Sequence, residues 1–383
     1  MVNKVLQKID ELYEKYLTVW KDVCDIESQT SNKEGVDKVA EYILDIAREH
    51  GWDVEYCYQE VGGNAACITL NPNAKGVPFC FSGHMDTVHE KGLFGYPPTK
   101  IIGDKIYGPG VADCKGGIVI GLLTLDALDA CGYKDRPVKL ILQSDEELNS
   151  KPSKRETIKF MIEKGLDSCG FINLESNTDE NVCIQRKGIA TYTFNVKGIS
   201  AHGSLCAIAG ANAIAEAAYK IIEVEKLKDH KGVTCNCGVI KGGSVANTVP
   251  EECEFKCNVR FATAEQRKWV DKFMQDIADD VKIEGCKTTV TASKGRPPME
   301  YSDKNQKLLD DINAIFEKFG FSTVQGQKRT GGSDTAYTTE AGIPCLDCFG
   351  VIGDRIHSKD EFAYIESLRD RAKRLALITM NLK

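Results

Sequence analysis

The sequence predicts an α/β fold in which a sheet is covered by helices on both faces and interrupted by an inserted α+β unit. Three observations lead there. Short apolar runs alternate with helical patterns, as in sheets buried on both faces. Three of those runs end in histidine or acids, and α/β proteins place their chemistry beyond strand C-termini. From about residue 188 the pattern changes to the two-residue alternation of half-exposed strands, and it changes back near residue 298. The expected division is 1–187 and 299–383 for the two parts of a catalytic domain, with 188–298 inserted between them.

Residues 3–50 read as two helices separated by the polar break "SQTSNKEG". Ser31 or Asn32 is placed to cap the second, whose buried stripe would be Val36, Val39, Ala40, Ile43 and Leu44. "DVEYCYQE" and "NAACITLNP" are short strands around a Gly-Gly turn. "VPFCFSGHMDTV", "PVKLILQSDEE" and "CGFINLES" are buried strands with polar ends, and "GGIVIGLLTLDALDACG" is a long apolar helix between the first two. In the insert, "GIATYTFNVKGIS" is a strand, followed by a helix from Gly210, the strands "VTCNCGVIKGG" and "ECEFKCNVRFA", a helix from Ala264, and the strand "KTTVTAS". After "KGRPPMEY" come a helix, "GGSD", a helix and "GIPCLDCFGV".

Composition excludes several function classes. The net charge of −7 argues against a nucleic-acid footprint. No apolar run is long enough to span a bilayer, and the first residues form a charged amphipathic helix without the apolar stretch of a signal peptide. Sixteen scattered cysteines without a secretion signal suggest reduced thiols in a cytoplasm. "CNC" and "CEFKC" fall in strands and read as small packing residues. "CLDC" lacks the helix of a thioredoxin-type site and also reads as structural.

The chemistry is expected where acids and histidines follow apolar strands. His84 and Asp86 end one such run, Glu146 and Glu147 another, and Glu175 a third. Asp113 stands among glycines in "GPGVADCKGG", and His357 lies in "GDRIHSKDEF". Three adjacent acids, Asp145 to Glu147, are costly behind a buried strand unless something cationic neutralises them. A divalent metal does so economically. Imidazoles with carboxylates suit zinc in a catalytic setting, although manganese or cobalt accepts the same donors. Two histidines and several carboxylates suggest a metal pair sharing a bridging carboxylate, with a further unligated carboxylate as proton acceptor. Asp86, on the same side of the strand as His84, is placed to hold the second nitrogen of that imidazole. His89 reads as a surface-loop residue, Arg186 and Lys187 as a solvated hinge face, and His50 and His230 receive no role.

In order, "SGHMDTV", "GPGVADCKGG", "QSDEE", "INLES", "GISAHGS", "SVANTVP…NVRF", "GGSD" and "IHSKDEF" resemble the signatures of the M20 metallopeptidases over residues 80–365. That family includes carboxypeptidase G-like enzymes, succinyl-diaminopimelate desuccinylase, acetylornithine deacetylase, aminoacylases and di- and tripeptidases. The resemblance implies a zinc-exopeptidase-like catalytic domain, a mixed sheet flanked by helices, with an inserted α+β lid and dimerisation domain. It implies that His84, Asp113 and Glu175 hold one Zn²⁺, and that Glu147, His357 and the shared Asp113 hold a second. Glu146 would then be the general base and acid, and the Asp113–Cys114 peptide bond would be cis. His202 of "SAHGS" would polarise the substrate carbonyl, Arg260 with Asn247 would grip a substrate carboxylate, and Gly331 and Gly332 would line the pocket. The expected function is a cytoplasmic di-zinc hydrolase that cleaves an amide bond in a small carboxylate-bearing substrate, as a C-terminal exopeptidase or dipeptidase. An N-acyl-amino-acid deacylase acting on acetyl or succinyl groups is the alternative, and a non-catalytic M20-like ligand-binding protein is a third reading. The expected partners are the small peptide or N-acyl amino acid and a second copy of the chain, with neither nucleic acid nor membrane.

Overall fold

The computed structural model describes residues 1–228 and 232–383; His230 lies outside the described residues. The chain divides into two compact units, one of Met1–Ile184, Tyr301–Lys328 and Tyr337–Lys383, the other of Gln185–Glu300 and Arg329–Ala336.

The first unit is built on a six-stranded mixed sheet. Its spatial order is Asp53–Cys57, Ala65–Leu70, Val138–Gln143, Phe79–His84, Phe171–Asn173 and Cys345–Leu346. The first two junctions are antiparallel and the other three parallel. Ala65–Leu70 and Phe79–His84 are buried at every position, which is why they read as continuous apolar runs.

Neighbouring residues of a strand point to opposite faces, and Leu140 and Lys139 show what covers each. On the Leu140 side a Cβ added at Gly121 of the helix Lys115–Ala130 would meet Leu140 and Phe81. On the other side Lys139 Nζ donates to Lys164 O, 2.8 Å away in the helix Glu156–Gly165. The helix Lys115–Ala130 is buried over almost its whole length. The helices Val2–Asp25 and Glu366–Asn381 supply its outer cover: Trp20 Nε1 donates to Val111 O at its start, and Thr124 Oγ1 donates to Ala372 O along its side. A helix enclosed in this way is mostly apolar all round, and its buried Lys115 and Asp126 are partnered, Lys115 Nζ donating to Val23 O and Ile26 O and Asp126 accepting from the Tyr16 hydroxyl. Its start also approaches a strand end closely, since a Cβ at Gly117 would lie 1.9 Å from Leu174 O. Asn32 caps the second helix, Lys33–Glu49, by accepting from Gly35 N at 3.2 Å, and the expected stripe from Val36 to Leu44 is buried.

Several elements have no counterpart in the sequence reading, among them the paired strands Val182–Arg186 and Gly326–Arg329. Others are the helices Glu156–Gly165 and Glu366–Asn381 and a small sheet of Lys100–Ile102, Lys105–Tyr107, Gly353–Asp354 and Phe362–Tyr364. The last two strands of that sheet flank the segment carrying His357.

The second unit is a four-stranded antiparallel sheet ordered Thr234–Gly242, Glu252–Phe261, Gly188–Lys197 and Lys287–Ala292. Burial alternates residue by residue along its two longest strands, so one face packs on the helices Ala213–Glu225 and Ala264–Asp279. Glu216 and Lys220 form a buried ion pair at 2.9 Å. Each has further partners: Glu216 accepts from Lys282 N and Ile283 N, and Lys220 donates to the carbonyls of Ile277, Ala278 and Asp280. Every group of the pair is thereby satisfied, as burial demands. Among the described residues no helix is long and apolar enough to cross a membrane.

Candidate active site

Parallel pairing assembles the site. Phe79–His84 and Val138–Gln143 run side by side with His84 opposite Gln143, and Phe171–Asn173 lies on the other side of the His84 strand. The polar residues that follow these strands therefore emerge at one edge of the sheet: His84 with Asp86, then Asp145 to Glu147, then Glu175.

At that edge His84 Nε2 lies 3.0 Å from Asp113 Oδ1 and 3.5 Å from Glu175 Oε1. His357 Nε2 lies 3.2 Å from Asp113 Oδ2 and 3.2 Å from Glu147 Oε2. The two oxygens of Asp113 thus face two different imidazoles, each of which also faces a carboxylate of its own. The Asp113–Cys114 peptide bond is cis.

The electrostatics follow from crowding acids in a buried place. Burial pushes the Glu147 carboxyl up to about 7, against the pull of His357. Burial also pushes Glu175 well above the ordinary carboxylate range, with the charges of Asp113 and Glu146 adding to the effect. For Asp113 burial acts in the same sense, but hydrogen bonds from His357 and His84 outweigh it and hold the carboxyl far below its usual value. Burial alone would lower the His84 pKa, yet its acidic surroundings hold it well above the ordinary value. Hydrogen bonds to Asp113 and Glu147 push His357 up to about 10.

Asp86 is fully buried and acts on both sides of this cluster. Its backbone carbonyl lies 2.9 Å from His84 Nδ1 and its carboxylate 3.3 Å from the same nitrogen. The carboxylate accepts from Thr30 Oγ1 at 2.7 Å and from the amides of Glu146 and Glu147 at 3.2 Å each. One side chain therefore ties the His84 ring to the turn Glu146–Leu148. Asp145, third of the adjacent acids, turns away: Ser153 N and Thr157 Oγ1 donate to its carboxylate at 2.9 and 2.8 Å. The thiol of Cys114 lies 3.4 Å from His84 N and 3.5 Å from Leu174 O, and burial raises its pKa strongly.

One residue pair near the site escaped the sequence reading. His89 is not a surface-loop residue but is buried, with Nε2 2.6 Å from Glu361 Oε2. Glu361, also fully buried, accepts from Ala112 N and Asp113 N at 2.9 and 3.0 Å and from Gly110 N at 3.3 Å. Its partners lie about 250 positions away along the chain, so no local pattern announces it. The only available hint is an acid four residues beyond His357.

The remaining expected residues belong to the second unit. His202 is exposed and pairs with Thr248 in a two-residue bridge, its Nδ1 2.8 Å from Ser204 Oγ. Gly203 N donates to Asn247 O at 2.7 Å, which sets His202 beside Asn247. Arg260 Nη1 donates to Thr330 O at 2.6 Å, next to Gly331 and Gly332. Arg186, read as part of a solvated face, is instead half-buried and donates to Gly331 O at 3.3 Å.

The sequence profile of peptidase family M20/M25/M40 matches residues 80–381. The chain belongs to that family. It is a hydrolase, and M20 enzymes are metal-dependent. It is 28% identical to carboxypeptidase G2 of Pseudomonas sp. over 363 residues, covering 93% of this chain and 86% of the relative. It is 25% identical to a probable succinyl-diaminopimelate desuccinylase of Staphylococcus aureus over 332 residues, 77% of this chain and 80% of the relative. Among solved structures it resembles aminopeptidase PepT of Bacillus cereus, with a TM-score of 0.80 at 19% identity, covering 97% of this chain and 99% of that one. This M20 fold, a mixed sheet flanked by helices, is the class that the sequence predicts.

Proposed function

We propose that this M20 hydrolase uses a pair of zinc ions to cleave an amide bond next to a free carboxylate, as a C-terminal exopeptidase or dipeptidase. The observation that carries the reading is the position of Asp113, whose two carboxylate oxygens face His84 and His357 on opposite sides. The donor set fits divalent cations. His84, Asp113 and Glu147 bring nitrogen and oxygen donors within 4.8 Å of one another, and His84 and Glu175 meet in the same way beside the Cys114 thiol, where burial holds the carboxylates of Glu147 and Glu175 above their ordinary pKa. His84, Asp113 and Glu175 would hold one ion, and Asp113, Glu147 and His357 the other. Cys114 is left outside the set, because its thiol already donates to Leu174 O at 3.5 Å. When bound, such ions polarise the substrate carbonyl and bring the pKa of a water towards neutrality.

The chain's own residues supply the rest. Glu146 accepts the proton of the attacking water and delivers it to the leaving nitrogen. Asp86 fixes the His84 ring and, through the amides of Glu146 and Glu147, the position of the base. His202 donates to the carbonyl oxygen as charge develops there. Arg260, helped by Asn247, receives the substrate carboxylate with its planar fork, and the backbone at Gly331 and Gly332 lines the pocket.

The name of the relative carboxypeptidase G2, similar over 93% of this chain, favours the exopeptidase reading. The similarity to a desuccinylase favours a second, removal of an acyl group from an N-acyl amino acid. Sixteen cysteines, all unpaired, suit a reducing cytoplasm. Exposed Tyr219 and Ile222 on the helix Ala213–Glu225 and exposed Ile240 on the edge strand Thr234–Gly242 suit a homodimer through the second unit.

The test is a zinc-loaded sample assayed against dipeptides, C-terminally varied peptides, and N-acetyl and N-succinyl amino acids. Two metal ions per chain with turnover confined to peptides is the expected outcome. Turnover of acylated amino acids alone would replace the first reading with the second. Full metal loading with no turnover across the panel would mean a ligand-binding protein.

A further inference from the structure

The second unit holds a gathering of thiols. Cys235 and Cys237 lie two apart on the strand Thr234–Gly242 and so share a face. Cys257, on the strand Glu252–Phe261, stands directly opposite Cys237 in the antiparallel register. The three thiols are in mutual hydrogen-bond contact. Cys235 and Cys257 are buried in the core of the unit, while Cys237 is partly exposed at its margin. The pairing slips immediately after Cys237, between it and Val239, so the strand is irregular on that side.

We infer that Cys237 and Cys257 are a thiol switch, closing into a reversible cross-strand disulfide when a low-molecular-weight disulfide is present. Backbone spacing selects this pair from the three. Residues directly opposed across antiparallel strands have Cα atoms about 4.5–5.5 Å apart, inside the window of roughly 4.4–6.8 Å that a disulfide accepts. Cys235 is diagonal to Cys257, at about 7–8 Å, outside that window. Access fixes the order of events, because Cys237 is the least buried residue of the three.

Cys237 attacks one sulfur of the external disulfide RSSR, forming a mixed disulfide and releasing RS⁻. Cys257 then attacks the Cys237 sulfur, closing the protein disulfide and releasing the second RS⁻. The two cysteine protons leave on the two released thiols. The balance is RSSR and two protein thiols giving one protein disulfide and two RSH, so the pair is oxidised by two electrons and the external disulfide reduced by two. Thiols of Cys237 and Cys257 that donate to the Cys235 sulfur push its pKa down and their own up, so the exchange draws on the small thiolate fraction of Cys237.

The test uses the full-length, metal-loaded protein with excess oxidised glutathione, followed by alkylation and peptide mapping. The expected product joins the tryptic segments 232–241 and 257–260, two hydrogens lighter than their sum, and a dithiol reductant reverses it. The Cys235→Ser variant should keep the linkage, and Cys257→Ser should instead leave glutathione on Cys237. Exposed Cys206 serves as the internal control for reaction with the oxidant. Glutathione on Cys206 while Cys237 and Cys257 remain fully alkylated would overturn the proposal. So would a linkage that disappears in Cys235→Ser, which would place the bond on Cys235.

Discussion

Asp113 faces opposite demands. Burial opposes its charge, and two imidazoles restore it by approaching separate oxygens at 3.0 and 3.2 Å. Asp86 holds the backbone of Glu146 rather than its carboxylate. The two residues should therefore fail differently. Glu146→Ala should keep both metals and lose at least about a hundredfold in kcat, the scale of general acid–base catalysis. Asp113→Ala should lower metal occupancy itself. Metal analysis beside kcat separates the cases, and near-normal turnover in Glu146→Ala would remove that residue from its role. At this scale much of the cluster was legible in sequence, because a lone histidine behind an apolar run reads as a core residue but several acid-bearing motifs in matching order do not. Asp145 was not separable from its neighbours, since only folding shows that Ser153 and Thr157 satisfy it. His89 was misread for the same reason: its partner Glu361 arrives from the far end of the chain.

Elements position the cluster through the loop that carries Asp113. Between Tyr107 and the helix Lys115–Ala130 the chain has no strand or helix of its own, and Glu361 gathers its amides at Gly110, Ala112 and Asp113. Glu361 is thus a positioning residue acting through the backbone. Glu361→Gln keeps the shape but replaces one accepting oxygen with a donor, leaving an amide or His89 without its acceptor. Metal affinity should fall roughly ten- to a hundredfold, as for other outer supports of metal ligands. Saturating metal should restore most of kcat. Competition against a chelator of known affinity measures the first effect, and an affinity equal to that of the parent protein would reduce Glu361 to a packing role. The buried parallel strands were readable because their covered middles are apolar, as at Phe79–Phe81 and Leu140–Leu142. The hairpin Lys100–Ile102 with Lys105–Tyr107 was not, being three residues long on each side and largely exposed. The return of residues 329–336 to the second unit left no mark in the local pattern, since a change of unit there involves no change of composition.

Across the whole molecule, metal and protons compete for the same atoms. In the metal-free protein, hydrogen bonds to Asp113 and Glu147 set His357 at about 10, against about 6.5 in an unfolded chain. A pKa raised on folding stabilises the fold fully below the unfolded value, and that contribution is lost as pH rises through the folded one. Glu147, raised to about 7 by burial, loses its contribution in the same direction but earlier, from about 4.3 upward. Asp113 has the opposite sign, because its folded pKa is depressed; its contribution disappears only in acid. Between about pH 6 and about pH 8 the metal-free protein should therefore lose stability as pH rises. Metal binding needs these ligands deprotonated, so affinity grows over the same interval. A ligand at a hundred times its Kd stabilises by about 2.7 kcal/mol, and at a thousand times by about 4.1 kcal/mol. The gap in Tm between zinc-loaded and chelated protein should consequently widen from about pH 6 to about pH 8, read by thermal melts at fixed free zinc. A gap that stays constant would mean that zinc displaces no protons on binding, and that outcome is incompatible with a site made of His84, Asp113, Glu147, Glu175 and His357.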